Sequence, residues 1–271
     1  MKSFNFAYIT DTHLSDEGKQ AAKDIAFADK EADFQCIVHG GNAICGNNPE
    51  KVSVQLLNME YDRFKSAVKS RILLPVQGEK DGWRDECFKG QLAMNIMTDK
   101  VWKEATAFTA DYKKLKRSGD APYYFMDFPK AKVRFIVLCS YFYEYDKEYG
   151  LFEKFKGFKT NQLKWLIDKA LAVQKDYRVV IFSHSIPKSR FETGKDPFIY
   201  NSWSTEQNLI ILQQAQRLKG VKIAAWISGG YSKEELANIG GINFVTLKEL
   251  TFYNCSLSEN KLTINDLSAE Y

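Results

Sequence analysis

The sequence predicts an α/β fold, and two observations support this prediction. Short apolar runs alternate with stretches at helical spacing that are long enough to cross over between parallel strands. Polar residues follow these apolar runs, and an α/β sheet places its functional side chains at the carboxyl ends of its strands. With 271 residues, 45% of them hydrophobic, the chain can bury a sizeable core. We predict one domain over residues 1–271.

The first predicted strand, at residues 4–10, ends in Asp11 and His13. An Asp and a His two positions apart can face one point beyond a strand end, which is how a site for a divalent cation begins. The same pair also occurs at ordinary capped strand ends, so the metal interpretation depends on other strands that end at the same place. Ser15 is predicted to cap the helix that follows.

The next two predicted strands also end in polar turns. They are residues 34–38, followed by His39-Gly40-Gly41-Asn42, and residues 72–76, followed by Gly78-Glu79-Lys80-Asp81. A helix predicted from Lys51 to Ser66 separates them, so these strands form a parallel sheet with the first. Because paired glycines allow a sharp turn, Asn42 is expected to approach the site. His39 is interpreted as a packed or supporting residue rather than a ligand.

The middle of the chain departs from this alternation. Residues 91–120 have the pattern of a polar, helical cap or insertion beside the sheet. Their basic run at 113–117 lacks interleaved aromatic residues and the net charge is only +4, so we do not expect nucleic-acid binding. Two strands, at 123–127 and 133–140, are predicted around a hairpin-like break.

Residues 141–158 form an aromatic-rich loop. Packing against the domain is the commoner role for such rings, and a rim that stacks on a substrate, with Tyr141 and Tyr143, is the functional alternative.

The last third of the chain continues the alternation of helices and strands. Thr160 is predicted to cap one helix, and Ser204 with Gln207 is predicted to cap another that ends near Gly220. The strand at 179–183 ends in His184. The strand at 221–227 ends in Ser228-Gly229-Gly230-Tyr231-Ser232, and short strands at 243–247, 251–255 and 261–264 are predicted to close a second sheet.

Cysteine usage and hydropathy indicate a cytoplasmic protein. The five cysteines form no CxxC pair, and two of them lie in apolar runs, which indicates buried thiols in a reducing compartment. No signal peptide is expected, because the first core strand starts by residue 4, although a trimmed, secreted protein would look the same. No apolar run approaches transmembrane length, so we expect no membrane association.

In order and spacing, the five polar strand ends resemble the calcineurin-like metallophosphoesterase family, whose signature is DxH, GD, GNHD, a lone His and GHxH. The matching positions are Asp11-Thr12-His13, Gly41-Asn42, Gly78-Glu79-Lys80-Asp81, His184 and Gly229-Gly230-Tyr231-Ser232. Residues 123–125, 134–138 and 161–166 are similar to the purple-acid-phosphatase-related branch. The resemblance covers nearly the whole chain and implies a four-layer α/β/β/α sandwich of two sheets flanked by helices.

The resemblance also implies a site for two metal ions, from which this chain departs. It keeps Asp11, His13 and His184. It has Asn42 for the bridging carboxylate, Glu79 for the ligand Asn and Lys80 for the catalytic His. Gly230 and Ser232 occupy the positions of two ligand histidines. The chain holds only three histidines, whereas the family's site uses five.

These departures weaken a two-metal centre. Two divalent cations roughly 3.5–4 Å apart need a bridging carboxylate to offset their repulsion, and a neutral amide bridges poorly. Lys80 adds a positive charge that disfavours a cation and can bind an anion, and it is expected to point into the cavity. Glu79 is a better oxygen ligand than an amide, or it pairs with Lys80.

We therefore expect no metal or one divalent ion, Mn, Fe, Zn or Mg. The candidate ligands are Asp11, His13, Asn42, Glu79 and His184, and the candidate catalytic residues are Lys80 and Asp81. The first hypothesis is a degenerate phosphoesterase, inactive or weakly active, that binds a phosphate-bearing small molecule or a protein partner. The alternative is an active phosphomonoesterase or phosphodiesterase with an altered one-metal site.

Overall fold

Two mixed β-sheets lie face to face in the computed structural model, which describes residues 3–46, 50–81, 97–146, 151–185, 202–231, 233–265 and 267–270. The strands are β1 (Phe4–Ile9), β2 (Ile37–His39), β3 (Leu73–Pro75), β4 (Leu115–Arg117), β5 (Tyr124–Phe128), β6 (Val133–Val137), β7 (Tyr141–Asp146), β8 (Leu151–Lys156), β9 (Arg178–Ser183), β10 (Lys222–Tyr231), β11 (Glu235–Ile239), β12 (Ile242–Lys248), β13 (Tyr253–Leu257), β14 (Lys261–Ile264) and β15 (Leu267–Glu270).

Helices flank both sheets. They are α1 (Asp16–Ala32), α2 (Glu50–Ser66), α3 (Asp99–Ala105), α4 (Thr160–Trp165) and α5 (Ser202–Lys219), with a short 3-10 helix at Ala107–Asp111 and a π-helical turn at Leu166–Ala170. Among the helices that the structure describes, none is long and apolar enough to cross a membrane.

The first sheet has the strand order β15-β14-β13-β1-β2-β3, and the second has the order β11-β12-β10-β9-β6-β5-β4. The predicted parallel pairing of the first three strands is confirmed, since β1 pairs with β2 and β2 with β3 in parallel. The strands that precede His184 and Ser228 are β9 and β10, and they lie in the second sheet. The site therefore lies between strand ends of two sheets, not along the edge of one.

The sequence predicted that the short C-terminal strands close a second sheet. The structure instead divides them between the two sheets. Strand β12 joins the second sheet in parallel beside β10, while β13 joins the first sheet antiparallel to β1. The run at 242–247 is buried throughout, which suits a strand covered on both faces, and β13 alternates between buried and less buried residues. Strands β12 and β13 therefore each lie in the sheet where their apolar residues are buried.

Three hydrophobic cores separate four layers. The central core joins the sheets, with the Phe6 ring 4.9 Å from Phe135 and 5.9 Å from Phe182. One outer core packs α1, α2 and α3 on the first sheet, and the other packs α4 and α5 on the second. Full burial of each such large apolar side chain contributes about 1.5–3 kcal/mol. The predicted four-layer α/β/β/α sandwich is confirmed.

Helix α1 leads away from the first strand end and fixes the loop before it. The Ser15 hydroxyl accepts a hydrogen bond from the Gly18 N–H at 3.0 Å, which is the predicted cap. Two acidic residues in the first turn complement the helix dipole. Ala21 and Ile25 are buried against the sheet, so the helix also anchors the loop through packing.

The segment at 91–120, described from residue 97, is only partly as predicted. Helix α3 and the 3-10 helix agree with a helical segment, but Val101 and Trp102 are buried in the outer core. Residues 115–117 are not helical: they form β4, the edge strand of the second sheet, paired antiparallel with β5. Three residues are too few for their period-two alternation to be evident in the sequence.

The aromatic-rich segment at 141–158 contains two strands where a loop was predicted, and residues 147–150 lie outside the described residues. Strands β7 and β8 pair antiparallel and form a separate two-stranded sheet. In the sequence, tyrosines at 141, 143 and 145 alternate with other residues, and this period of two was the missed evidence for a strand.

Two predicted helix caps lie inside their helices instead of before them. Lys159 precedes α4 and makes no side-chain cap, so Thr160 is the first helical residue; the side-chain oxygen Oδ1 of Asn161 accepts from the Gln162 N–H. Helix α5 begins at Ser202, which places Ser204 inside it. The predicted end at Gly220 is confirmed, since that residue has a φ of +64°.

Four cysteines lie in the described part of the chain, and the three buried ones are free thiols. Cys36, Cys139 and Cys255 are buried and Cys45 is exposed, in agreement with the absence of a disulfide framework.

Candidate functional site

Strand ends of the two sheets meet above Gly230. A Cβ atom placed on Gly230 would lie 3.1 Å from His184 Nε2 and 3.7 Å from Asp11 Oδ2. Asp11 follows β1 in the first sheet and His184 follows β9 in the second. The structure therefore brings these two predicted site residues to one small space, close enough for ligands of a metal centre.

Strained backbone surrounds this space. Asp11, His13 and Asn42 have φ angles of 59°, 51° and 53°, in the left-handed region that residues other than glycine rarely adopt. Two backbone hydrogen bonds hold their loops together, from Asp11 N to Gly41 O at 2.9 Å and from His13 N to Asn42 O at 3.2 Å. Such conformations cost free energy and cluster at functional sites, where the surrounding structure maintains them.

Both oxygens of the buried Asp11 carboxylate accept hydrogen bonds. Thr10 Oγ1 donates to Oδ2 at 2.7 Å, and Asn42 Nδ2 donates to Oδ1 at 2.7 Å. The other end of the Asn42 amide, Oδ1, accepts from the backbone N–H of Lys80 at 2.7 Å. Because a backbone N–H needs an acceptor, this contact fixes the amide with its NH₂ group toward Asp11. An NH₂ group cannot ligate a cation, so Asn42 is not a metal ligand in this arrangement.

Lys80 contributes its backbone rather than its side chain. Its side chain is exposed and, within the described part of the chain, its ammonium makes no ion pair with Asp11 or any other carboxylate. The predicted approach of Lys80 to Glu79 or Asp11 is thus not seen as an ion pair among the described residues, and its approach to a bound anion stays a prediction. The match to the family signature placed the Lys80 ammonium at the site, whereas the contact of Lys80 with Asn42 is made by its backbone N–H.

Asp81 is buried beneath the site and holds two loops together. Its carboxylate accepts from the backbone N–H groups of Gly78 at 2.7 Å, Asn42 at 3.1 Å, Ala43 at 2.6 Å and Ile44 at 3.3 Å. Burial raises the pKa of Asp81, and the N–H donors oppose that rise. With its side chain fully buried and both oxygens occupied, Asp81 has a structural role and not the predicted catalytic one.

His184 turns Nε2 toward the site, and no hydrogen bond to this nitrogen occurs among the described residues. Its Nδ1 lies 2.8 Å from the carbonyl oxygen of Gly40, which can only accept, so Nδ1 carries the proton. In the neutral ring Nε2 therefore keeps its lone pair, and this nitrogen faces the space above Gly230. A ring held through one nitrogen with the other one free is the usual arrangement of a metal-binding histidine.

Tyr141 is a neighbour of His184 rather than a substrate rim. The two rings lie 5.7 Å apart, and the Tyr141 hydroxyl is hydrogen-bonded to Ser185 Oγ. Tyr141 is buried, so it packs beside the histidine and has little surface for a substrate ring. Tyr143 lies in β7, but its side chain lies outside the described residues.

His39 supports the site from below, as predicted. Its Nδ1 accepts from the Gly41 N–H at 3.3 Å, and Nε2 lies 3.0 Å from Thr12 Oγ1. The ring is fully buried against Tyr61 and Phe64. Burial is the main cause that lowers the pKa of His39 to about 3, so the ring is neutral at physiological pH.

One group of three potential ligands occurs among the described residues: Asp11, His13 and Glu249, whose ligand atoms lie within 4.8 Å of one another. Glu249 follows β12, and the Leu250 N–H binds the Thr10 carbonyl oxygen at 3.0 Å, which ties this loop to the first strand end. Sequence reasoning missed Glu249, although it also follows an apolar strand.

These three residues fit one divalent cation, and the described residues offer no second three-residue group of this kind. Two carboxylates and an imidazole suit Mn²⁺, Fe²⁺ or Zn²⁺. For a second ion, Asn42 offers an amide NH₂ and Gly230 has no side chain. Glu79 is partly exposed and forms no three-residue group with His184 in the described chain, and Ser232 lies outside the described residues.

Solved structures share this fold. A dimetal phosphatase from Danio rerio superposes with a TM-score of 0.65 at 16% identity, and the match covers 99% of each chain. The phosphopantetheinyl hydrolase of Mycobacterium tuberculosis superposes at 0.52 with 9% identity, covering 92% of this chain and 90% of that one. The anchor in the inner membrane complex of Plasmodium superposes at 0.50 with 14% identity, covering 100% and 89%.

No protein-family profile and no curated protein matches the sequence. The structural matches show that the chain has the calcineurin-like phosphoesterase fold, as the sequence motifs predicted. At these low identities they show the fold alone. The placement in the purple-acid-phosphatase-related branch stays a prediction.

Proposed function

We propose that this protein binds one divalent cation at Asp11, His13 and Glu249, that a phosphate-bearing ligand binds beside it, and that the two-metal hydrolytic centre is lost. The observation that carries the proposal is the Asn42 amide, whose NH₂ group donates to Asp11 at 2.7 Å. A bridging carboxylate is needed at that position to hold two cations. The amide hydrogens instead present partial positive charge, which opposes a second ion.

The residues around the proposed ion are suited to phosphate binding. His184 lies opposite Asp11, with Nδ1 held by Gly40 and Nε2 facing the open space. A bound cation would supply positive charge for a phosphate in this space, which the His184 ring lines. Since Asp11 and Glu249 are the acidic members of the three-residue group, phosphate binding is expected to require the cation.

Metal stoichiometry tests the proposal directly. Protein purified without chelator and passed through metal-free buffer is expected to hold no more than one metal equivalent, and a Mn²⁺ titration followed by electron paramagnetic resonance should saturate at one. Glu249→Gln should weaken Mn²⁺ binding at least tenfold, because it removes a charged ligand. Glu259→Gln changes an exposed glutamate in the turn between β13 and β14 and serves as the matched control. Two equivalents would refute the one-metal site.

Phosphate binding is measured separately. Calorimetric titration with inorganic phosphate should show binding in the presence of Mn²⁺ and a loss of that binding in Asp11→Ala and His184→Ala. Phosphate binding that is equal with and without metal would contradict the proposal.

An altered one-metal hydrolase is the second candidate, and the free Nε2 of His184 favours it. This nitrogen faces the same space as Asp11 and could exchange a proton with a substrate oxygen. Turnover of a generic phosphodiester with added manganese separates the candidates. Turnover that Asp11→Ala and His184→Ala both eliminate would establish the hydrolase.

We also propose that a protein partner is the alternative ligand. The fold is shared with a protein described as an anchor, which supports a binding role that involves no catalysis.

We further propose that residues 1–271 form a single domain and that the protein is cytoplasmic. The buried thiols of Cys36, Cys139 and Cys255 are consistent with a reducing compartment. Fractionation of cells with an antibody to this chain tests the location.

A further inference from the structure

A second cavity lies at the edge of the second sheet, and none of its lining residues belongs to the candidate metal site. It has a volume of about 520 Å³ and opens between α3, the 3-10 helix and β4. This volume lies within the range of pockets that hold small organic molecules, roughly 300–1,000 Å³. Ala107, Ala110 and Leu115 give part of its wall an apolar character.

Arg117 lines this cavity, and its guanidinium is bound only by neutral oxygens. Nη1 donates to the Ala121 carbonyl oxygen at 3.1 Å, and Nη2 donates to the hydroxyls of Thr106 at 3.2 Å and Thr109 at 3.3 Å. The group also lies over the Tyr124 ring, 4.9 Å from its centroid. Within the described part of the chain, no carboxylate forms an ion pair with it.

The remaining charges of the cavity do not neutralise Arg117. Asp120 is paired with Lys103 at 2.6 Å, and both of these side chains are largely exposed. Lys100 and Glu104, one cation and one anion, are exposed at the rim. The lining therefore has a net charge of one positive unit, and the half-buried guanidinium is its innermost cation.

A guanidinium in this position favours an anionic ligand. The three hydrogen bonds above use both donors of Nη2 and one of Nη1, so Nε–H and one Nη1–H of its five donors remain for an anionic ligand. Burial lowers the pKa of Arg117, so the folded protein bears a cost for this charge that a bound anion would reduce.

We propose that this cavity binds a monoanionic organic acid, with its carboxylate on Arg117 and its apolar body against Ala107, Ala110 and Leu115. One uncompensated cation matches one negative charge. A doubly charged phosphate would be left with an unpaired charge on an apolar wall, which is costly. This assignment is independent of the metal site.

Calorimetric titration of the full chain with hexanoate tests the proposal. Hexanol has the same apolar body without the charge, and inorganic phosphate has charge without the body. We expect hexanoate to bind at least tenfold more tightly than either. An acetylated Ala-Leu dipeptide, with a free or an amidated C-terminus, tells whether the carboxylate comes from a small acid or from a peptide end.

Variants connect the binding to this cavity. Arg117→Met should abolish hexanoate binding, while Lys116→Met, an exposed lysine next to it on β4, should leave it unchanged. Should Arg117→Met fail to fold, Ala110→Trp, which fills the cavity and keeps the guanidinium, should abolish binding as well. Phosphate binding as tight as that of hexanoate, no binding of either carboxylate, or binding that Ala110→Trp leaves intact would overturn the proposal.

Discussion

The side-chain amide of Asn42 donates to the carboxylate of Asp11 over 2.7 Å, and its oxygen is taken by the backbone N–H of Lys80. In this way a neutral residue stabilises the buried Asp11 charge without a metal. A hydrogen bond to a charged group contributes about 1.5–3 kcal/mol, so this contact stabilises the Asp11 carboxylate. A second cation would have to displace this amide.

The first prediction follows from this contact. Asn42→Asp places a second carboxylate against Asp11, and we expect the metal-free protein to lose about 2–4 kcal/mol of stability because two like charges replace a hydrogen bond. Added Mn²⁺ should recover most of this loss, since a cation between the carboxylates restores attraction. Urea unfolding with EDTA or with Mn²⁺ measures both effects. Equal destabilisation in the two conditions would argue against metal binding at Asp11.

The second prediction concerns Gly230, where the family signature has a ligand histidine. The residue has a φ of +74°, and a Cβ there would lie 3.1 Å from the His184 ring. Gly230→Ala should therefore destabilise the protein by about 2 kcal/mol, from the left-handed conformation together with the close contact.

Gly241→Ala is the matched control for Gly230→Ala. Gly241 has a similar φ of +83°, and a Cβ placed on it would have no atom within 4 Å, so this variant carries the conformational cost alone. Thermal unfolding of both variants measures the difference. Equal losses would show that the His184 ring moves away freely, and the return of a ligand histidine at 230 would then be sterically possible.

Much of the fold was predictable because burial imposes a period on the sequence. The apolar runs at 4–10, 34–38 and 179–183 are largely covered strands, and their continuous hydrophobicity made both their type and their parallel pairing evident. The same pattern does not say which strands are neighbours. The division of the strands between two sheets followed from the family resemblance and not from periodicity.

The part of the site that consists of side chains directly after strands could be predicted from the sequence, whereas the part that depends on backbone contacts could not. Asp11, His13 and His184 were found because Asp and His after a strand are recognisable. Glu249 was missed because its contact with the site depends on a loop held by one backbone hydrogen bond, from Leu250 to Thr10. The contact of the Lys80 N–H with Asn42 was not predictable, because a motif position does not tell whether the fold uses the side chain or the N–H.

The third prediction separates a structural from a catalytic role for Asp81. Asp81→Asn replaces one carboxylate oxygen by an NH₂ group that faces backbone donors, and each buried N–H left without an acceptor costs about 1–3 kcal/mol. We expect a loss of about 2 kcal/mol or more in urea unfolding. Lys80→Ala, which removes an exposed side chain next to it, should change stability by less than about 0.5 kcal/mol. A stable Asp81→Asn variant would contradict the structural role.

The last prediction concerns acid sensitivity and depends on His39. Burial lowers the pKa of His39 from 6.5 to about 3 in the folded protein. As the pH falls below 6.5, the unfolded chain takes up a proton at this residue while the folded chain does not, so the unfolded state is favoured. The stabilising contribution is complete above pH 6.5 and is lost progressively toward pH 3. The loss is roughly 2 kcal/mol at pH 5.

The atomic cause of this sensitivity is the contact from the Gly41 N–H to His39 Nδ1, since a protonated Nδ1 would turn an acceptor into a second donor. His39→Asn keeps an acceptor near that position and cannot titrate. Its unfolding free energy should be lower than that of the natural protein at pH 7 but should fall less between pH 7 and pH 5, by about 2 kcal/mol. Urea unfolding of both proteins at the two pH values measures this difference. Parallel pH profiles would mean that His39 does not control the acid sensitivity and that buried carboxylates such as Asp81 do.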